Sequence, residues 1–234
     1  MSFSGTTFSV RYPATHWAQL SQLRKTAISI MRILDEYNLI SALYGSVARG
    51  DIRSQSDIDI IILTPVSSTR VEFALASRDI SIYQRRITQA TPNLTPKAHF
   101  YLDPLQKQCI SLPLMPLRSL ESEFYKFGGL ISLNNLLVGT RVPGCTKRLM
   151  LIQPTLQGHD ESPIQGYEAE VAKIIGVKVA IVHQRVRVLT RRNEVGRTGI
   201  LLSYDLHDDE VFEEVLKRLA DTNPIVKRRL RRKK

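Results

Sequence analysis

The segment from Leu43 to Leu63, LYGSVARGDIRSQSDIDIIIL, most constrains what this chain can fold into. Two apolar runs flank a turn bounded by Gly45 and Gly50, and the second run is interrupted by one aspartate only. A short apolar run between turn residues is typical of a buried strand. The segment therefore predicts a strand over Ile40–Tyr44, a turn that opens a short helix, and a strand over Asp57–Leu63.

Composition places these elements in an ordinary globular chain. The 234 residues are 43% hydrophobic and 24% charged, which suits one large domain or two small ones. This balance excludes a wholly disordered chain, a collagen-like fibre and a coiled coil. The longest apolar runs fall well short of the roughly 20 residues that span a bilayer. We therefore expect no transmembrane segment.

Two further features point to an intracellular, cytoplasmic protein. The N-terminus, MSFSGTTFSVRYP, lacks a basic cluster followed by an apolar stretch, so we expect no secretory signal. Cys109 and Cys145 are the two cysteines, and no CxxC or Cys/His ligand spacing occurs. We expect them to be reduced and inert, without a disulfide framework or a structural zinc site.

The net charge is strongly positive. Thirty-three Lys and Arg against 22 Asp and Glu give +11, and the last eight residues, 227–234, carry seven positive charges. The stretch Arg185–Arg197 is also rich in arginine. Such an excess favours polyanions, meaning nucleic acid, nucleotides or an anionic surface. The alternative for the tail is a solvated segment that aids solubility.

Hydrophobic periodicity predicts the remaining elements of the first half of the chain. Apolar residues at three- and four-residue steps predict a helix over Thr15–Tyr37. The prolines within residues 104–120 predict irregular structure or an edge strand. Three further segments are interpreted as strands: Glu72–Ser77, Ile80–Ile87 and Ala98–Asp103.

The turn at Gly45 and Ser46 suits a phosphate group. A glycine lets the backbone approach a ligand closely, the turn exposes backbone N–H groups, and the Ser46 hydroxyl adds a donor. The strand that follows carries Asp57 and Asp59, which point the same way because side chains alternate along a strand. Two adjacent carboxylates repel each other unless a divalent cation neutralises them, and Mg²⁺ sites use one or two carboxylates plus substrate phosphates. The alternative is a strand start with two solvated aspartates.

Together, Gly45–Gly50 (GSVARG) and Ser56–Asp59 (SDID) resemble the motif of the nucleotidyltransferase superfamily that includes DNA polymerase β, and most of all its small minimal prokaryotic members. The resemblance covers about 25 residues. It implies a nucleotidyltransferase mixed sheet with flanking helices.

The resemblance also implies a reaction and its residues. Asp57 and Asp59 would hold two Mg²⁺ ions against a nucleoside triphosphate, whose β- and γ-phosphates Gly45 and Ser46 would cradle. An acceptor hydroxyl would then attack the α-phosphate and release pyrophosphate. Arg49 and Ser56 complete the expected nucleotide site, and Arg53 is a further candidate for phosphate contact.

The resemblance calls for a third catalytic, metal-binding carboxylate on a neighbouring strand. Asp103, at the end of the strand that contains His99, is our assignment, although Pro104 follows it where the family has apolar strand residues. Asp79 is the alternative. A chain without this carboxylate would be a weak or inactive enzyme.

The C-terminal part predicts a second module. Two helices, Tyr167–Ile175 and Lys178–Arg191, flank Gly176, and a hairpin over Asn193–Ser203 follows them. This order resembles a winged helix-turn-helix that binds DNA. The alternative is a helical hairpin for packing or for a homodimer. The expected nucleic-acid contacts are Lys178, His183, Gln184, Arg187, Arg191 and Arg197.

These features predict a two-domain α/β (α+β) protein. A polar connector at Pro154–Pro163 divides a nucleotidyltransferase domain (1–155) from a winged helix-turn-helix domain (156–226), which precedes a basic tail (227–234). The leading hypothesis is a Mg²⁺-dependent nucleotidyltransferase with a nucleic-acid-binding module and an unidentified acceptor. The alternative is a DNA-binding regulator whose nucleotidyltransferase-like domain is inactive or senses nucleotides.

Overall fold

The computed structural model of the protein describes residues 3–196 and 199–231, with side chains to residue 230. In these residues the chain forms eleven strands and nine helices. The strands are β1 (Phe8–Arg11), β2 (Ser41–Tyr44), β3 (Ile58–Ile62), β4 (Gln84–Gln89), β5 (Lys97–Tyr101), β6 (Gln108–Pro113), β7 (Leu130–Ser132), β8 (Gly144–Cys145), β9 (Met150–Thr155), β10 (Gly158–Pro163) and β11 (Leu202–Asp205). The helices are α1 (Ala14–Glu36), α2 (Ser46–Arg49), α3 (Ser68–Ala76), α4 (Ser119–Phe127), α5 (Leu133–Leu137), α6 (Glu168–Ile175), α7 (Val179–Val195), α8 (Phe212–Thr222) and α9 (Pro224–Arg231).

The chain divides into two compact units. The first holds the described residues of Met1–Ser29, Ala42–Ile58 and Ser122–Thr198. It contains an antiparallel sheet in the order β1-β10-β9-β8 and an antiparallel pair of β2 with β7. The helices α2, α5, α6 and α7 and most of α1 and α4 belong to this unit.

The second unit holds the described residues of Ile30–Ser41, Asp59–Glu121 and Gly199–Lys234. Its strands are hydrogen-bonded in the order β11-β4-β5-β6-β3, and the pairs from β11 to β6 are antiparallel. Ile87, Phe100 and Ile110 are fully buried on one side of this sheet. The centres of the Phe100 ring and of the Phe212 ring of α8 lie 5.0 Å apart. Helices α3, α8 and α9 complete the unit.

This architecture is mixed α+β, as the sequence predicts. The predicted helix at Thr15–Tyr37 is α1, and the predicted strands at both ends of the glycine-bounded turn are β2 and β3. The two predicted C-terminal helices are α6 and α7. No helix in the described part of the chain combines the length and the apolar character needed to cross a membrane.

The strand predicted at Glu72–Ser77 is wrong, because this segment lies in α3. Val71, Ala74 and Leu75 are its buried apolar residues, and their spacing of three and four follows the helical repeat. The strand predicted at Ile80–Ile87 begins later, at Gln84, and continues to Gln89.

Residues 104–120 contain a regular strand, contrary to the irregular or edge structure that their prolines suggest. The strand β6 lies between β5 and β3 and is buried over most of its length. Pro113 is its last residue, and Pro104 and Pro116 lie outside it. The ladder hydrogen bonds are therefore kept, because no proline occupies the interior of the strand.

The polar segment Pro154–Pro163 is not a connector. It forms most of a hairpin in which β9 and β10 pair, with His159 opposite Pro154. Its polar composition hides the alternation that usually marks a strand. The two compact units consequently divide the chain at positions other than residue 155.

The hairpin expected at Asn193–Ser203 is also absent from the described residues. Asn193 lies in the last turn of α7, which ends at Val195, and β11 pairs with β4 instead of with a neighbouring strand. Arg197, which was expected at the tip, lies outside the described residues. Among the described residues the helix pair is therefore present, and β11 belongs to the sheet of the second unit.

The start of the predicted basic tail is a docked helix. In α9, Val226 and Arg229 are 0% and 3% exposed. The Arg229 guanidinium donates to the Thr95 hydroxyl at 2.8 Å and lies 3.7 Å from a carboxylate oxygen of Glu121. The Thr95 N–H also donates to Glu121, at 2.6 Å. This buried network fixes α9 within the second unit.

Substitution Arg229→Ala should lower the free energy of unfolding by about 2–4 kcal/mol, because it leaves the buried Glu121 carboxylate without its cation. The exposed neighbour Arg228 is the matched control, and Arg228→Ala should change stability by less than about 0.5 kcal/mol. Urea denaturation followed by circular dichroism measures both. Equal midpoints for the two variants would contradict a structural role for Arg229.

Candidate active site

The glycine-serine turn joins β2 to α2 in the first unit. Gly45 has φ +87° and ψ −150°, a conformation that favours glycine. A Cβ atom built on Gly45 meets no heavy atom within 4 Å. The backbone at Gly45 is thus open to a ligand, while its N–H donates to the Gly129 carbonyl at 3.0 Å.

A hydrogen bond connects the two halves of the motif. The Ser46 hydroxyl lies 3.1 Å from the Ser56 hydroxyl and donates to it. The Ser56 oxygen also accepts from the Arg53 N–H at 2.8 Å. Ser46 and Ser56, which the sequence predicts as site residues, therefore hold the segment before β3 to the start of α2. The side chain of Arg53, the further candidate for phosphate contact, is exposed.

The two aspartates occupy alternate positions at the start of β3. Asp57 immediately precedes the strand and is exposed, whereas Asp59 is its second residue and is half-buried. Ile58 and Ile60 between and after them are buried. This alternation agrees with the expected placement of the carboxylates on the less buried side of the strand.

Asp103 lies in the β5–β6 turn, where backbone groups engage its carboxylate. One oxygen accepts from the Leu105 N–H at 2.9 Å and the other from the Gln108 N–H at 2.6 Å. The alternative candidate, Asp79, is exposed in the turn after α3, with φ +53°. No group of three or more His, Cys, Asp and Glu able to hold a metal ion occurs among the described residues.

Arg49 faces the protein interior. Its side chain is 7% exposed and forms two hydrogen bonds of 2.9 Å with the Asp51 carboxylate. Its guanidinium also donates to the Gly128 carbonyl. These contacts fit a structural role in holding α2, so the expected phosphate contact by Arg49 has no support from its placement.

Arg24 of α1 supports the turn that carries the motif, and the sequence did not predict this role. Its buried guanidinium donates to the carbonyls of Val47 and Ala48, at 3.1 and 2.8 Å, and to Thr140 at 2.8 Å. Burial, and secondarily Arg141, lowers its pKa to about 10. The available signal is its position four residues after the buried Leu20, which puts an arginine on the apolar face of the helix.

Aromatic and cationic side chains surround Gly50, which ends α2. The His16 ring contacts the Gly50 carbonyl at 2.8 Å, and the Arg141 guanidinium lies 4.8 Å from the centre of the Trp17 ring. Arg141 also donates to the Gly158 carbonyl at 2.8 Å. The end of the short helix is therefore fixed by side chains from α1 and from the segment before β8.

His99 is a structural residue of the second unit. Its ring nitrogens contact the Thr88 hydroxyl at 2.8 Å and the Cys109 sulfur at 3.6 Å. Burial is the main cause that lowers its pKa to about 3, so the ring is neutral at physiological pH. Both cysteines are buried thiols, and burial raises the pKa of the Cys145 thiol to about 12. The Cys145 thiol is therefore not an activated nucleophile.

The expected nucleic-acid contacts on α7 differ in exposure. His183, Arg187 and Arg191 recur every four residues and are exposed, which places them in one row along the helix. Gln184 is half-buried. Lys178 precedes the helix, and its N–H and ammonium both contact Glu123, at 2.9 and 3.5 Å.

Substitution Gly50→Ala should destabilise the protein by about 2–4 kcal/mol, because φ is +101° and the new Cβ would lie 2.6 Å from Cδ of Arg141. Arg141 cannot move freely, since it stacks on Trp17. Gly199→Ala is the control, because a Cβ at Gly199 meets nothing within 4 Å. Thermal unfolding measures both, and an unchanged Tm for Gly50→Ala would contradict this packing.

Residues 27–111 match the model of the nucleotidyltransferase domain family. The match begins within α1, ends within β6, and includes the glycine-serine turn and both aspartates. No curated protein and no solved structure matches the chain. The α+β architecture is consistent with a nucleotidyltransferase fold. The match supports placing residues 27–111 in the nucleotidyltransferase superfamily.

Proposed function

We propose that this protein transfers a nucleoside monophosphate from a nucleoside triphosphate to an acceptor hydroxyl. The hydrogen bond between Ser46 and Ser56 carries this proposal, because it joins the open backbone turn at Gly45 to the segment that leads into Asp57, inside the matched region. The match favours transfer over the alternative of a DNA-binding regulator with an inactive domain.

The donor set fits a magnesium ion. Asp57 and Asp59 provide two carboxylates at alternate positions, and Mg²⁺ is commonly held by one or two carboxylates together with substrate phosphates. Asp57 and Asp59 would hold the ion. When bound, it would neutralise charge on the phosphates during the displacement.

The other residues bind and orient the triphosphate. The open backbone at Gly45 would let a phosphate approach closely, and Ser46, the next residue, begins α2. Because Ser46 also contacts Ser56, phosphate binding at the turn would constrain the segment that carries Asp57. The turn is held in place before the substrate binds, which reduces the entropy lost on binding.

Substitutions Asp57→Asn and Asp59→Asn should each weaken Mg²⁺-dependent binding of ATP by about 10- to 100-fold, because each removes a negative ligand. Asp35→Asn, an exposed carboxylate of α1, is the control and should bind like the wild type. Isothermal titration calorimetry with each of the four nucleoside triphosphates measures the affinity and the base preference. Wild-type affinity in both aspartate variants would refute the metal assignment.

A second candidate function is nucleic-acid binding by α7. The exposed row of His183, Arg187 and Arg191 supports it, because the two arginines, four residues apart on one side of the helix, can contact a phosphate backbone. The +11 net charge is compatible with such a partner. A nucleic acid bound by α7 would then be a candidate to provide the acceptor hydroxyl of the transfer reaction.

Substitutions Arg187→Gln and Arg191→Gln should each weaken binding of a short DNA duplex and reduce the slope of log K against log salt by about one. Arg32→Gln, an exposed arginine on α1, is the control. Fluorescence anisotropy over a series of salt concentrations gives both quantities. An unchanged slope in both variants would assign the α6–α7 pair to a protein contact instead.

A further inference from the structure

Helix α1 carries three side chains that contact the motif segment. His16, Gln19 and Arg24 each contact a backbone carbonyl of the stretch from Val47 to Arg53. All of these residues belong to the first unit. Backbone carbonyls outside regular structure need partners from side chains or from water. Here one helix supplies the side chains for the stretch that leads to the first aspartate of the motif.

The contact made by His16 has a defined donor. Its ring Nε2 lies 2.8 Å from the Gly50 carbonyl oxygen, and a carbonyl oxygen only accepts, so Nε2 carries the proton. The His16 ring is stacked on the Tyr12 ring, with centres 3.7 Å apart and planes inclined by 19°. This stacking restricts rotation of the imidazole and so directs its N–H toward Gly50.

Gly50 is the residue at which the chain leaves α2 toward β3. Its φ is +101°, in the left-handed region, and its N–H donates to the Ser46 carbonyl at 2.7 Å. The carbonyl of Gly50 is the group that His16 holds. Because both backbone groups of this residue are engaged, they set the direction in which the chain continues to Asp57.

Two further contacts hold the segment between Gly50 and Asp57. The Gln19 amide donates to the Arg53 carbonyl at 3.4 Å, and the Arg53 N–H donates to the Ser56 hydroxyl at 2.8 Å. The backbone of Arg53 is thus engaged by α1 on one side and by the residue before Asp57 on the other. Asp57 itself is exposed, so the preceding backbone determines where its carboxylate lies.

We propose that His16 and Gln19 are positioning residues that hold the Asp57 carboxylate in place for a divalent cation. The inference rests on the proposed function and extends it to the first turns of α1. Both residues act through backbone carbonyls, and neither is assigned a contact with the nucleotide. A binding group must be held by supporting residues to function, because a small displacement of a ligand weakens the site.

Two substitutions of His16 separate its N–H donor from its ring. His16→Phe keeps a ring that can stack on Tyr12 and removes the donor, whereas His16→Gln keeps a donor and removes the ring. Isothermal titration calorimetry of ATP, in Mg²⁺ and in EDTA, gives the gain in affinity that the metal provides. His16→Phe should lower this gain about five- to tenfold, the effect of one lost hydrogen bond, and leave the affinity in EDTA unchanged.

The remaining variants give the matched comparisons. His16→Gln should keep the metal-dependent gain to within about twofold, because a donor to Gly50 remains. Gln19→Leu should lower the gain about two- to threefold, since the bond that it removes is longer. Gln22→Ala, at an exposed position of α1, is the control and should bind like the wild type.

A merely structural role would lower the Tm of His16→Phe and leave its metal-dependent gain unchanged, which would overturn the inference. An equal loss of the gain in His16→Phe and His16→Gln would also overturn it. If His16→Phe does not fold, Gln19→Leu decides, because position 19 is exposed, and an unchanged gain there overturns the inference. Absence of any metal-dependent gain in the wild type would instead refute the proposed function itself.

Discussion

The buried Arg24 guanidinium is the interaction on which the motif turn depends. Helix α2 has four residues, so its carbonyls find few partners within the helix. Arg24 donates to two of them, Val47 and Ala48, from the neighbouring helix α1. A buried guanidinium is tolerated only when acceptors surround it. The arginine and the turn therefore stabilise each other, because Arg24 supplies hydrogen-bond donors to the turn and the turn supplies acceptors to the buried guanidinium.

This arrangement leaves few groups of the turn available for a ligand. Arg49 is engaged by Asp51 and Gly128, and the end of α2 at Gly50 packs against Arg141. The open part of the turn is the backbone at Gly45, where a Cβ would meet no heavy atom within 4 Å. A rigid support for a small open segment is what precise positioning of a phosphate requires. The positive charge near the motif thus serves mainly to build the turn.

The sequence predicts this segment well because its signals are local. An apolar run and bounding glycines specify β2, α2 and β3 without knowledge of their neighbours. Strand β6 was missed because its prolines lie at or beyond its ends, a distinction that depends on the register with β5. The turn-forming role of Asp103 likewise depends on two N–H groups whose placement requires the folded hairpin. Residue type predicts which ligands an aspartate can bind, but not which backbone groups engage its carboxylate in the folded protein.

The same distinction applies to the positive charge. The sequence concentrates it in residues 227–234 and in Arg185–Arg197, yet Arg229 of the first segment is buried beside Glu121, and Arg86 is paired with Asp205. Each such ion pair combines one positive and one negative charge, so pairing does not change the net charge of +11. The excess must therefore reside on other cations, of which Arg187 and Arg191 on α7 are exposed examples. Arg187 and Arg191 are therefore the cations through which the proposed nucleic-acid contact would act.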